Sequence, residues 1–375
     1  MADARSQTPI PGKEIERILA ERGWTHDDLA EVVGKQRPHV SRLISGKGTI
    51  TPEWAVLLSG ALGNTPEYWH RLEGDRQLSL ILPVATDVEK RAHLVNIAPV
   101  REMIRRGWIA QTSTREELEA QLRGFFDVES LDVDPPVAAD FRKANPDAPL
   151  DRQQRAWVAR ARQLAAAHPV CQFDRARIPD MVAKLRRLAA YPRECLDVCE
   201  VLRLYGIRFV VVEPLEKCRI DGAAFWLEDS PAVALSMRYG RMDMFWFTLM
   251  HEVAHIIHND WGSVDTDLAG KDQLPSRLKS QTERRADEAA ASMLIPPQEM
   301  ADFIKLYSPL YSKTRIIQFA HRIKIHPSII VGQLQHRGEL GWDGGRGLLT
   351  DVRQYIIDSA LTDGWGKSIS PGIIE

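Results

Sequence analysis

Residues 245–260 read FWFTLMHEVAHIIHND, with two histidines four apart and a glutamate beside the first. Four residues make about one helical turn, so His251 and His255 project from one side of a helix. Trp246, Leu249, Val253 and Ile256 follow 3-4-3 spacing and form a separate apolar stripe. Two imidazoles one turn apart can converge on a single tetrahedral ion, with Zn–N near about 2.0–2.1 Å. Glu252 is rotated by about 100° from His251. It stands near such an ion without competing for it, where a carboxylate can take a proton from an attacking water. The competing reading is an ordinary buried helix that happens to carry histidines.

A catalytic metal needs a third protein ligand and an open fourth position. His258 lies seven residues beyond His251, about 10 Å further along a straight helix, too far to share the ion. The metzincin pattern, with a Gly turn and a later His, is excluded because His258 and Trp261 occupy those places. A better source is QTERRADEAAASMLIPP, a helix with Thr282 as its expected cap and Ala286, Ala289, Ala290 and Ala291 permitting close approach. Glu283 and Asp287 share a face of it at i,i+4. One can bind zinc while the other orients a ligand histidine through its second ring nitrogen. Upstream, IRFVVVEPL, GAAFWLED and PAVALSM read as three short strands, so a small sheet feeds the histidine helix.

The front of the chain points elsewhere. From Gly12 to Leu72 it reads as five short helices, with Gly23 and Gly34 as stops and Thr25, Thr51 and Thr65 as caps. In QRPHVSRLISGKGTI the buried stripe is Val40, Leu43 and Ile44, which leaves Gln36, Arg37, His39 and Arg42 facing solvent. Lys35, Arg37, Arg42 and Lys47 occur between Glu31 and Glu53 with no acid among them. Two short helices around a Gly turn, with a basic stripe on the second, suit insertion into the major groove of DNA. The net charge of −2 gives no global attraction to nucleic acid, so contact must come from this patch.

Between the two ends, VREMIRRGWI, TREELEAQLRGFF, DRQQRAWVARARQLAAA, IPDMVAKLRRLAAYP and ECLDVCEVLRLYG show helical apolar spacing, broken by the linker signals DVDPP and NPDAP. Four cysteines without a CxxC pair argue against a disulfide framework or a thiolate zinc site, and Cys195 and Cys199 read as small core fillers. The absence of an apolar leader or a transmembrane-length run leads us to expect a cytoplasmic chain with no membrane partner.

The segment WTHDDLAEVVGKQRPHVSRLISGKGTITPEWAVLLSGALGNTPEYWHRL resembles the XRE/Cro-type helix-turn-helix of HigA-like antitoxins, notably in DLA, VSRL and the G-x-x-x-I-T-P turn. The resemblance makes 36–45 the recognition helix, with Lys35, Gln36, Arg37, His39, Arg42 and Lys47 toward double-stranded operator DNA. Pro38 replaces the usual small polar residue, a change tolerated near a helix start. At the other end, RIDGAAFWL, FWFTLMHEVAHIIH, ERRADEAAASMLIP and FAHRIKIHPSIIVGQLQHRG resemble the ImmA/IrrE metallopeptidase family. This implies His251, His255 and Glu283 as zinc ligands in a gluzincin-like set, Glu252 as general base and Asp287 as their support. It also implies an edge strand that holds an extended substrate, for which PAVALSM is the candidate. Tyr239, His321 and His326 are candidates for stabilising an oxyanion.

The expected fold is mainly α with a small β-sheet. A five-helix Cro/XRE helix-turn-helix spans 10–73, a helical middle 74–204, an α+β zincin-like domain 205–340 and a tail 341–375. Two functions of different class fit this order. One, the favoured reading, is an antitoxin-like DNA-binding regulator, expected as a homodimer, with its zinc domain as sensor or dimerisation platform and its zinc site competent. The other is a zinc endopeptidase that cuts an XRE-type repressor, a toxin or itself, targeted by its helix-turn-helix.

Overall fold

The computed structural model describes residues 10–131, 142–143, 150–260, 263–265 and 279–363. The linker signals DVDPP and NPDAP lie outside the described residues. Mostly helical with one small mixed sheet, the fold has the expected class, and it separates into two compact units, Met1–His93 and Leu94–Glu375.

In the first unit, helices α1 (Pro11–Arg22), α2 (His26–Val32), α3 (Arg37–Ile44), α4 (Pro52–Leu62) and the start of α5 (Pro66–Ile97) enclose Ile15, Leu29, Val40, Leu58 and Trp69. Local chemistry sets their ends. Thr25 and Asp28 form a reciprocal capping box at α2, and Thr51 accepts from the Trp54 amide at α4. The turn between α2 and α3 passes through Gly34 at φ 66°, a left-handed conformation that glycine adopts without steric cost. α5 does not stop near residue 73 as the sequence suggests. It continues to Ile97, 32 residues in all, through Gly74 and Pro83, two residues that ordinarily weaken or break a helix.

Among the described residues the second unit is built on six strands: β1 (Arg142–Lys143), β2 (Arg208–Val212), β3 (Gly222–Leu227), β4 (Ser230–Leu235), β5 (Ser263–Asp265) and β6 (Leu361–Asp363). Their spatial order is β1-β5-β3-β4-β2-β6. β3 and β4 form an antiparallel hairpin, and β2 runs parallel to both β4 and β6. Side chains alternate across the sheet, and both faces are covered. Phe209, Val211, Ala224, Val233 and Leu235 enter a core shared with α9 (Ile178–Leu188), α10 (Val198–Leu204) and α11 (Met242–His258). Val210, Val212, Ala223, Phe225, Ala232 and Ala234 enter a second core with α7 (Arg115–Phe126) and α8 (Arg152–Ala166). α6 (Val100–Arg105) adds Met103 to this second core.

The helices between 94 and 204 are therefore packed against the sheet, not strung between domains. Trp157 Nε1 donates to the Val212 carbonyl at 2.8 Å, which ties α8 to β2. Residues beyond 340 also belong to this unit: α16 (Arg353–Ser359) precedes β6, which extends the sheet next to β2. α12 (Gln281–Leu294), α13 (Pro297–Tyr307), α14 (Lys313–Ile323) and α15 (Pro327–His336) complete the layer around α11.

Two expectations are corrected. α12 is capped by Ser280, whose hydroxyl accepts from the Glu283 amide at 3.1 Å, and Thr282 lies inside the first turn. PAVALSM is not an edge. β4 pairs with β3 along its whole length and with β2 on its other side, so its ladder groups are already engaged and cannot accept an added strand.

Candidate metal centre

α11 is buried almost all round between sheet and helices, and this explains its high apolar content. Both its apolar stripe and its histidine face are inside: His251, Glu252 and His255 are all 0% exposed. Against it lies α12, which buries Ala286 and Ala290, and those small side chains let Glu283 reach the histidines.

The ligand atoms of His251, His255 and Glu283 lie within 4.8 Å of one another and could hold a metal ion. The two Nε2 atoms are 3.0 Å apart, and the Glu283 oxygens lie 3.2 Å from His251 Nε2 and 3.8 Å from His255 Nε2. Tetrahedral ligands at about 2.0–2.1 Å from zinc would be about 3.3 Å apart, within the observed spread. The donor chemistry points the same way. His251 Nδ1 lies 3.1 Å from Asp287 Oδ1, a partner that favours the proton on Nδ1. The Nε2 lone pair is then left facing a carboxylate and a second imidazole. Acceptors converging in a buried space call for a cation between them.

Asp287 is itself secured by Lys279, whose Nζ donates to Oδ2 at 2.6 Å. Burial alone would raise the Asp287 carboxyl, but the hydrogen bond and charge of His251, with Lys279 beside them, hold it below the usual carboxylate range. Glu252 points to the sheet. A Cβ added to Gly222, the first residue of β3, would stand 2.2 Å from Glu252 Oε1, so the carboxylate rests against bare backbone. Sequence reasoning missed both supports. A glycine opening a strand was the available signal for Gly222, whereas nothing marked Lys279 among the neighbouring basic residues.

His258 does not join the cluster. His326 caps α15, its Nδ1 accepting from the Ser328 amide, and His321 is an exposed residue in the last turn of α14. Tyr239 is held by Arg238, whose Nη2 donates to its hydroxyl at 3.1 Å. Cys195, Cys199 and Cys218 are free thiols packed into the apolar cores, and burial pushes them up to about 12, about 11 and about 12.

On the first unit, Gln36, Arg37, His39, Arg42 and Lys47 are exposed, and Lys35 is partly so. Two of the cations are paired within the module: Lys35 Nζ with Glu53 Oε1 at 2.7 Å, and Arg37 Nε with Asp27 Oδ1 at 3.5 Å. Arg42 and Lys47 form no ion pair among the described residues.

Residues 15–69 match the helix-turn-helix family model, and residues 206–331 match that of the IrrE N-terminal-like domain, Peptidase M78. The chain belongs to the XRE-type helix-turn-helix family and carries an M78 domain. Antitoxin HigA-1 of Vibrio cholerae is 46% identical over 67 residues, 17% of this chain and 63% of that protein. An uncharacterised HTH-type transcriptional regulator of Escherichia coli K12, YddM, is 34% identical over 65 residues, 17% of this chain and 69% of that protein. The chain thus spans just under two thirds of the first relative and slightly more of the second. The crystal structure of a candidate antidote protein of a plasmid maintenance system from Nostoc punctiforme is 27% identical, covering 22% of this chain and 92% of that one, with a TM-score of 0.21. The His251, His255 and Glu283 cluster lies within the M78 domain. No helix among the described residues is long and apolar enough to cross a membrane.

Proposed function

We propose that the chain is an antitoxin-like DNA-binding transcriptional regulator whose M78 domain is a zinc-dependent endopeptidase, cleaving a repressor, a toxin or the chain itself on a stress signal. The observation that carries this reading is the buried convergence of His251, His255 and Glu283 with Glu252 one residue from the first ligand. Two imidazoles and a carboxylate suit zinc, and they leave a fourth position for the reacting group. Bound zinc supplies Lewis acidity to polarise the scissile carbonyl. Asp287 keeps His251 in the tautomer that presents Nε2. Glu252, held against Gly222, takes the proton of the attacking water and returns it to the departing amine. Arg42 and Lys47, with Gln36, Arg37 and His39, face double-stranded operator DNA, and a homodimer would place two such helices on its half-sites.

The test is a Glu252→Gln chain, which keeps the shape and the metal ligands but removes the base. It should bind about one zinc per chain and lose proteolysis of a co-expressed repressor or toxin by about 10²–10⁴-fold. The likeness to Antitoxin HigA-1 favours a second reading, an antitoxin whose zinc domain is a structural or sensor module. Normal promoter regulation by the Glu252→Gln chain would select that reading.

A further inference from the structure

On several helices of this chain, cations meet an acid one turn away. Arg17 pairs with Glu14 on α1, Arg105 with Glu102 on α6, Arg115 with Glu119 on α7 and Arg203 with Glu200 on α10. α14 differs: it carries Lys313, Arg315 and Arg322, with Lys324 as its C-cap, and no acid. The gap is wider than the helix, since no Asp or Glu occurs between Asp302 and Glu339. All four cations are exposed. Arg322 meets Glu299 of α13, whereas Lys313, Arg315 and Lys324 form no ion pair among the described residues. In a chain of net charge −2 this is local segregation of charge, not general basicity. Like charges gathered on one face repel one another, and an anionic partner would remove that cost.

The side chains between the cations decide which partner. Thr314, Gln318 and His321 form the exposed row, and each can hydrogen-bond a phosphate oxygen. A protein or lipid partner would need an apolar centre there. The row has none, and the exposed Leu306 and Leu310 lie off its N-terminal end. Lys313 and Arg315 at one end stand about 13 Å along the axis from Arg322 and Lys324 at the other. A DNA groove of about 12 Å is of similar width. α15 cannot enter a groove beside α14, because Ile329, Ile330, Val331 and Leu334 are packed in the core. We propose that α14 binds the phosphate backbone of double-stranded DNA, a second contact on the M78 unit that carries no sequence preference. It goes beyond the helix-turn-helix reading and does not depend on it.

The probe is a fluorescent duplex of mixed sequence, about 30 base pairs long, titrated with the full-length zinc-loaded chain from about 50 to about 200 mM KCl. A chain with Lys313→Gln, Arg315→Gln and Lys324→Gln keeps the Arg322 pair and the metal residues. Each phosphate contact adds about 0.9 to the slope of log affinity against log salt, so this variant should lower the slope by about 2–3. At the lowest salt it should bind about tenfold or more weakly. Arg101→Gln, Arg105→Gln and Lys217→Gln together remove as many exposed cations from the opposite face of the sheet, and should leave the slope unchanged. An unchanged slope in the α14 variant, or an equal fall in the control, overturns the proposal. Loss of binding to phosphatidylglycerol vesicles with duplex binding kept assigns the surface to a membrane instead. Arg42→Ala with Lys47→Ala separates the two DNA contacts. Binding that falls only in that variant keeps the helix-turn-helix reading and overturns this one. Binding that falls only in the α14 variant supports this proposal and counts against the helix-turn-helix assignment.

Discussion

The helix-turn-helix and the M78 domain hold their candidate functional side chains in opposite settings. In the first, Gln36, Arg37, His39 and Arg42 stand in solvent above a core of Ile15, Leu29, Val40 and Trp69 that makes no use of them. In the second, His251, Glu252 and His255 are fully buried and Glu283 is 3% exposed, all within the packing that holds the domain together. Exposed groups act through charge and can be exchanged at little cost to the fold. Buried ones act through position, so their neighbours matter as much as they do. Substitutions in the M78 domain should report geometry, and those in the helix-turn-helix should report electrostatics.

The sharpest test of the geometric half is Gly222→Ala. The new methyl would meet the end of the Glu252 side chain, which can swing aside, so the domain should still fold. The proposed base would nevertheless leave its place. A misplacement near 1 Å can cost about 10²-fold in rate. Zinc content unchanged and proteolysis down by that order is the expected pair of measurements. Full activity in Gly222→Ala would show that Glu252 is not held against β3 during the reaction.

Asp287→Ala comes next. It removes the partner of His251 Nδ1 and strands Lys279, and the expected loss is about 10–100-fold in zinc affinity, read by competition with a chelator. Lys279→Met should weaken zinc less, because Asp287 remains next to His251. If both variants hold zinc as tightly as the parent, the role of Asp287 in positioning the histidine is wrong.

How much of this was legible in the sequence follows the same division between local and long-range causes. Caps at Thr25 and Thr51, the Gly34 turn, the strands around 208, 222 and 230, and the face shared by His251 and His255 depend on residues a few places apart. The interior position of β4 depends on β2, and the sixth strand is formed by residues 361–363 pairing with 210–212. Neither segment signals that partnership in its own pattern. The packing of α6 to α10 on the sheet was hidden for the same reason, since an amphipathic helix does not reveal what covers its apolar face. Gly222 and Lys279 matter only because α11 and α12 bring Glu252 and Asp287 to them.

In the helix-turn-helix the comparison predicts graded effects. Lys35 faces Glu53 and Arg37 faces Asp27, whereas Arg42 has no acidic partner among the described residues. Arg42→Ala should therefore weaken operator binding by about 1–3 kcal/mol if it reads a base. Lys35→Ala should cost less, because Glu53 already offsets its charge. Binding measured across a salt series separates the two, and an effect of Lys35→Ala equal to that of Arg42→Ala would show that the Glu53 pair opens on DNA.

The smallest expected effect concerns acid. Glu14 accepts from Arg17 at 3.0 and 2.8 Å, and that hydrogen bond holds its carboxyl below the ordinary glutamate range against the opposing effect of burial. Burial would raise Glu73, yet Arg76 at 2.6 Å and Gln77 at 2.9 Å outweigh it and lower its carboxyl too. A carboxylate whose folded pKa lies below its unfolded one stabilises the fold fully above the unfolded value. That contribution is lost as pH falls through the folded one. Arg17 is half exposed, so solvent screens its pair. Arg76 is better shielded and should dominate. Amide protection factors over residues 11–72 of the full chain, taken relative to the intrinsic exchange rate at each pH, should fall as pH drops below the ordinary glutamate range. Glu73→Gln should flatten that dependence more than Glu14→Gln, and the reverse ranking would show that the shielding of the arginine partner does not decide the effect.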